Sequence, residues 1–344
     1  MLEKSVVSEG DIRSLLAEKY RICKLDRISS LGRGSANCYR IQAAEGDFIL
    51  KEFQSRHSVE RLTMEPEITA FVRRHGIPAT QFIQTVMREY VWMYRNRTFH
   101  LQAFVEGAIF PPNTAPGWLL QESAELLGRL HSILLDFPHR LENAFDPVWF
   151  SWNIDESRQQ YAALIDAAKP LPPGEIRDRV LADLHDKKNL LSKVADLPIN
   201  PDKLTRRNSH GDYHILQLIC GSSAVHAVID FSAACQLPAI WEIIRSYTYA
   251  EPKCAKAQID TSNLKNYVLL YLEHAALSRY DLEMMPYMYY LQLVRSRYGY
   301  REYLICKSEN RESLIEFGFW RTDMCRWLEK YVADLSRELG DLAA

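Results

Sequence analysis

The sequence contains no CxxC pair; its 7 cysteines (Cys23, Cys38, Cys220, Cys235, Cys254, Cys306, Cys325) are scattered singly. That argues against a zinc ribbon and a thioredoxin-type redox centre and fits reduced thiols, mostly in a core. No apolar run reaches bilayer-spanning length. The opening stretch, MLEKSVVSEGDIRSLLAEKY, is charged where a signal peptide has its apolar centre. The expectation is a cytoplasmic protein with no membrane partner. A basic surplus is also missing, since 42 Lys and Arg stand against 44 Asp and Glu for a net charge of −2. Bulk charge therefore offers nothing to a nucleic acid, and none is expected as a partner. Internal repeats and low-complexity tracts are absent. What is present is 47% hydrophobic and 25% charged, a globular balance, spread over 344 residues. That length is too great for most single cores and comfortable for two lobes.

Residues from about 27 to 104 carry strand patterning with one helix. DRISSLGRGSANCYRIQ places a glycine turn between two strand-like segments, and DFILKEF is a short strand. EPEITAFVRRHGIP reads as a helix with Pro66 in its first turn and Gly76 and Pro78 at its end. EYVWMYRNRTFHLQAFVEG reads as two strands joined at Arg95-Asn96. After Gly107 the period changes. PGWLLQESAELLGRLHSILLDFP has apolar residues at helical spacing, charged helical segments follow between about 155 and 200, and amphipathic helices run from about 264 to 339. AVHAVIDFSAA is a buried-strand candidate. The expected domains are residues 1–105, sheet-rich, and 106–344, helical.

Three groups of residues carry chemistry. Lys51 shares a strand face with Ile49 and Phe53, downstream of a glycine turn that lets main-chain N–H groups approach a phosphate. Glu67, at the start of the next helix, is placed to fix the Lys51 ammonium, with Glu65 as its rival. SHGDYHILQL puts His210, Asp212 and His214 within five positions. By spacing alone this is a metal site, a braced base or a polar turn before a strand. VIDFSA ends an apolar strand in Asp230, a suitable Mg2+ ligand or a strand-end cap.

HGDYHILQ resembles the H-G-D-x-H-x-x-N catalytic loop of the aminoglycoside phosphotransferase and choline kinase-like family, small-molecule relatives of the protein kinases. VIDFSA is similar to that family's metal-binding strand end, and FVEG with LLGRLHSIL to its linker and first helix of the second lobe. PAIWEIIRSY resembles the segment after the metal aspartate. The likeness is collinear from about Leu31 to Tyr247. It implies an α+β, bilobal protein kinase-like fold with a small antiparallel-sheet lobe and a larger helical lobe. It implies ATP and Mg2+ as cofactors and a small-molecule hydroxyl acceptor: an aminoglycoside, a sugar or an amino alcohol.

On the same resemblance Asp212 is the catalytic base and His210 and His214 brace its loop. Asp230 and Gln217 are metal ligands, and Lys51, held by Glu67, contacts the phosphates. The nucleotide is expected between the lobes, under Gly32, Gly34 and Ser35 and against Gln102 to Val105, Phe104 among them. Three residues depart from the family pattern. Gln217 stands in place of asparagine, Ser232 where many relatives have a carboxylate, and Glu242 in place of aspartate. Gln217 is the feature that supports a rival reading: an inactive, spore-coat-like protein on a kinase scaffold. A metallohydrolase using His210, Asp212 and His214 lacks a second histidine-rich motif.

Overall fold

A computed structural model of the chain describes residues 3–31, 36–55, 59–306 and 310–343. The glycine turn, with Gly32, Gly34 and Ser35, lies outside the described residues. The chain divides into two compact units. One comprises residues up to Ile109 together with Gln217–Ala234; the other comprises Phe110–Leu216 and Cys235–Ala344. The second crossing of the chain into the sheet unit has no counterpart in the expected single boundary after residue 105.

The sheet unit begins with α1 (Glu9–Tyr20), capped by Ser8 and Asp11 in reciprocal hydrogen bonds. An antiparallel sheet follows from β1 (Leu25–Leu31), β2 (Asn37–Ala43), β3 (Gly46–Glu52), β4 (Phe82–Ile83), β5 (Val91–Tyr94) and β6 (Arg97–Ala103). Its order is β1-β2-β3-β6-β4, with β5 also on β6. Arg95 and Asn96 both have positive φ, the turn that suits the twist of a two-residue hairpin between β5 and β6. Ile12, Leu15 and Leu16 of α1 pack with Ile41, Leu50, Phe99 and Leu101 of the sheet in one apolar cluster.

The helix α2 runs from Val59 to Arg74 with Pro66 in its interior, so it begins more than a turn before the proline. That shift decides which side chains face inward. Leu62, Glu65, Ile68, Thr69 and Val72 form the buried stripe, at the three- and four-residue spacing of one helix face. Glu67 falls on the exposed side. In the second part of this unit, β8 (Leu218–Cys220) and β9 (Val225–Val228) form a hairpin. Val228 is bridged to Ala79.

In the helical unit, α3 (Gly117–Ile133) is followed by α4 (Asp146–Trp149), α5 (Ile154–Ala168) and α6 (Glu175–Ala195). The strand pair β7 (Arg206–Ser209) and β10 (Cys235–Pro238) then leads into α7 (Ala239–Ala250), α8 (Thr261–Leu272), α9 (Arg279–Arg295) and α10 (Arg311–Gly340). Gly128 is required on α3, because a Cβ there would sit 2.6 Å from the Tyr271 carbonyl of α8. The β7–β10 pairing positions the chemistry. Cys235 lies opposite Ser209 and Pro238 opposite Arg206, so the loop that leaves β7 at His210 and the helix that leaves β10 at Ala239 start at opposite ends of the pair, and α7 meets the loop through Glu242 and Arg245. Among the described residues no helix is long and apolar enough to cross a membrane.

Candidate active site

Two clusters of buried and half-buried charge collect most of the residues singled out from the sequence, one in each unit.

In the sheet unit, Lys51 stands opposite Cys38 of β2 and His100 of β6. Its Nζ donates to Asp230 Oδ1 at 2.6 Å, joining positions 179 residues apart. Asp230 occupies the left-handed region (φ 64, ψ 58), which aspartate tolerates better than most residues. Its Oδ1 also accepts from Ser232 Oγ at 2.7 Å, so the serine that departs from the family pattern steadies the carboxylate. The adjacent Ile229 N–H donates to the Gln217 carbonyl at 2.9 Å, which ties the end of the HGDYHILQ stretch to the aspartate's neighbour.

The carboxylate that accompanies Lys51 is Glu65, not Glu67. Glu65 is 1% exposed. Burial pushes it up to about 7 against the opposing pull of Lys51, while Asp230 adds to the rise. The misassignment follows from reading Pro66 as a first-turn residue, which rotates the expected face of α2. Burial works against the Lys51 ammonium, but Asp230 and Glu65 outweigh it and raise its pKa. Behind them, His100 lies between Phe53 and Phe82, with ring centroids 5.0 and 4.8 Å away. Its Nε2 is 3.7 Å from Glu65 Oε2, and burial followed by Lys51 holds it neutral. Neither His100 nitrogen nor Glu65 Oε2 has a hydrogen-bond partner among the described residues.

Gln102 is buried in β6, paired with Ile49 and Phe82. The next two main-chain N–H groups are occupied, Ala103 by the Gln81 carbonyl and Phe104 by the Asp47 carbonyl. The Arg40 guanidinium lies 3.8 Å over the Phe104 ring.

In the helical unit, Gly211 takes φ 82, a conformation only glycine adopts freely, and so turns the chain between His210 and Asp212. Asp212 Oδ1 accepts from Arg245 Nη2 at 2.6 Å, and Oδ2 lies 3.5 Å from His214 Nε2. Burial opposes its charge. Arg245, then His214, overcomes that and holds the carboxyl below its usual range. Arg245 is sandwiched between Trp241 and Tyr249, one helical turn either side, at 5.1 and 4.9 Å from the ring centroids. Its place was readable as the middle of a four-residue spacing on α7, although nothing in the catalytic-loop motif points to it.

The histidines of the loop are engaged locally. His210 Nδ1 accepts from the Asp212 N–H at 3.3 Å and His214 Nδ1 from the Leu216 N–H at 3.2 Å. Glu242, fully buried, accepts from the Tyr213 N–H at 3.2 Å and meets His131 Nε2 at 2.9 Å; His131 Nδ1 is 2.8 Å from the Tyr271 hydroxyl. The histidine of LLGRLHSIL thus holds the carboxylate that holds the loop. The longer Glu242 side chain still reaches it. Among the described residues, no three His, Cys, Asp or Glu side chains converge to hold a metal ion.

A family model described as the phosphotransferase enzyme family matches residues 27–266. The chain belongs to that family and is a phosphotransferase. No curated protein matches it. Solved structures share its kinase-like fold. Amicoumacin kinase hAmiN, in complex with AMP-PNP, Ca2+ and Ami, aligns at TM-score 0.62 and 13% identity, over 95% of this chain and 94% of that one. Spectinomycin phosphotransferase APH(9)-Ia, in complex with ADP and spectinomycin, aligns at 0.62 and 12%, over 97% and 98%. A microcompartment-associated aminopropanol kinase aligns at 0.62 and 15%, over 96% and 99%.

Proposed function

We propose that the chain is an active ATP-dependent kinase that moves the γ-phosphoryl group to an acceptor hydroxyl, with Asp212 as the positioned base. The observation that carries this reading is the meeting of Lys51 and Asp230 at 2.6 Å, from motifs read independently in the sequence. An inert scaffold has no need to hold that pair together.

Lys51 serves the nucleotide's phosphates, with Glu65 as the companion carboxylate. The donor set of one carboxylate, Asp230, and one amide, Gln217, suits Mg2+, which takes few protein ligands and shares phosphate oxygens. Bound there, the ion neutralises charge on the phosphates. Val105 offers the adenine the first main-chain N–H beyond β6 that has no hydrogen-bond partner among the described residues.

Asp212 Oδ2 receives the acceptor's O–H while Arg245 fixes Oδ1. A carboxylate held so low is a weak proton sink, so it acts first by orienting the hydroxyl. The proton passes to it as the new P–O bond forms and the bond to the departing nucleoside diphosphate breaks. The acceptor proton then leaves to solvent, and Asp212 is ionised for the next turnover.

The test is Mg2+-dependent ATP consumption by the full chain across a panel of hydroxylated acceptors. The reading expects at least one acceptor to drive consumption and Lys51→Ala to abolish it. No consumption with any acceptor, together with nucleotide binding indifferent to Lys51→Ala, would establish the inactive scaffold instead.

A further inference from the structure

A third set of charged side chains in the helical unit belongs to neither cluster. Trp149, Trp152, Tyr298, Arg295, Arg297 and Arg301 line a cavity of about 660 Å³, the size range of small-molecule sites. Its charge is lopsided. The carboxylate in its wall, Glu156, is exposed and bonded to Gln160 at 2.9 Å. Arg301 is paired with Glu302. Arg295 and Arg297 have no such partner among the described residues.

Arg295 donates to the main-chain carbonyls of Trp149 and of Val148, the latter at 2.8 Å. It lies over the Trp152 ring at 4.4 Å, and its buried Nε is unpartnered. Burial, reinforced by Arg297 and only partly offset by Tyr161, lowers its pKa to about 10. The half-buried Arg297 makes no side-chain hydrogen bond or ion pair with any described residue. Two guanidiniums drawn partly out of water without a counter-charge cost free energy unless an anion joins them.

A chain of side-chain contacts links the cavity wall to Asp212. The Tyr298 ring meets Phe317 at 6.0 Å, Phe317 meets Tyr249 at 5.6 Å, and Tyr249 carries Arg245, which holds Asp212. Burial is the first cause of a raised pKa at Tyr298, and the charge of Asp212 is among the others.

We propose that this cavity takes the acceptor by an anionic group, a carboxylate or a phosphate gripped by Arg295 and Arg297, with a planar apolar part against Trp149 and Trp152. The proposal rests on the kinase reading, in which the acceptor's hydroxyl faces Asp212. Guanidinium forks match both anions in geometry, and the indole faces suit a flat partner. An acceptor bearing amines meets two like charges and gains nothing from the single, exposed Glu156.

The experiment is calorimetric titration of the full chain with two matched sets. One is 3-phenyllactate, its neutral amide and the cationic phenylalaninol; the other is uridine 5′-monophosphate and uridine. We expect at least one anion to bind about tenfold or more tighter than its uncharged partner, and phenylalaninol to bind weakest. Whichever set responds separates a carboxylate from a phosphate. Arg297→Gln should erase the preference, Arg297→Lys restore part of it, and Trp152→Ala weaken both members of the responding set. Equal or tighter binding of the neutral or cationic members would overturn the proposal. So would anion binding indifferent to Arg297→Gln, or no binding by any probe at millimolar concentration. The kinase reading fails separately: anion binding that follows Arg297, in a chain showing no ATP consumption with any acceptor, leaves the cavity assigned and the activity refuted.

Discussion

The two charged clusters are built on opposite balances. Around Lys51, one ammonium faces two carboxylates, the buried Glu65 and the half-buried Asp230, and burial, with Asp230 adding to it, leaves Glu65 with a pKa raised to about 7. Around Asp212, one carboxylate is over-supplied, with a guanidinium and a histidine on its two oxygens, and its pKa falls. On the proposed function the first cluster is left able to rearrange when phosphates and a cation arrive, and the second is fixed before anything binds: pre-organisation where the proton would move, adaptability where the nucleotide would be held.

The largest effect expected from breaking this contrast is on turnover. Asp212→Asn keeps shape and hydrogen bonding but removes the acceptor of the proton. Steady-state rates should fall by about a hundred- to ten-thousand-fold. Next comes the brace beneath the loop. Glu242→Ala leaves His131 buried without its carboxylate and Tyr213 N–H without an acceptor. Chemical denaturation should show a loss of about 3 kcal/mol or more, the scale for breaking a buried pair.

The pH dependence of stability should differ in sign between the clusters. Glu65 has a folded pKa above its unfolded value, so the native state holds an extra proton between 4.5 and about 7. Its contribution is fully present below 4.5 and is lost as pH rises through about 7. Asp212 is the reverse: its contribution is present above 3.8 and is lost as pH falls further. Melting curves of Glu65→Gln should therefore be flatter than wild type between about pH 5 and 7; parallel curves would put the proton elsewhere. The smallest effect is assigned to Glu67→Ala. On the exposed face of α2 it should change stability by no more than about 0.5 kcal/mol and leave nucleotide affinity unaltered.

What was legible in the sequence was local. The change from strand to helix patterning near Gly107, the HGDYHILQ loop and the strand ending at Asp230 are short-range signals, and the sheet, the loop and the Lys51–Asp230 pair answer to them. Glu67 was preferred to its rival Glu65 because a proline inside a helix imitates a proline at its start. The hydrophobic stripe through Leu62, Ile68 and Val72 was the better guide to the buried face. The His131–Glu242 pair spans 111 residues and no periodicity announces it. The return of Gln217–Ala234 to the sheet unit is likewise a long-range event, set by the Ala79–Val228 and Ala108–Cys220 bridges.

The most direct test of the account is to measure Mg2+–AMP-PNP affinity and ATP turnover together for wild type, Asp212→Asn and Asp230→Asn. The account predicts that Asp212→Asn loses turnover and keeps wild-type affinity, because its cluster serves the acceptor. Asp230→Asn should lose both, because it serves the metal and the nucleotide. Equal losses of affinity in the two variants, or turnover that survives in Asp212→Asn, would contradict it.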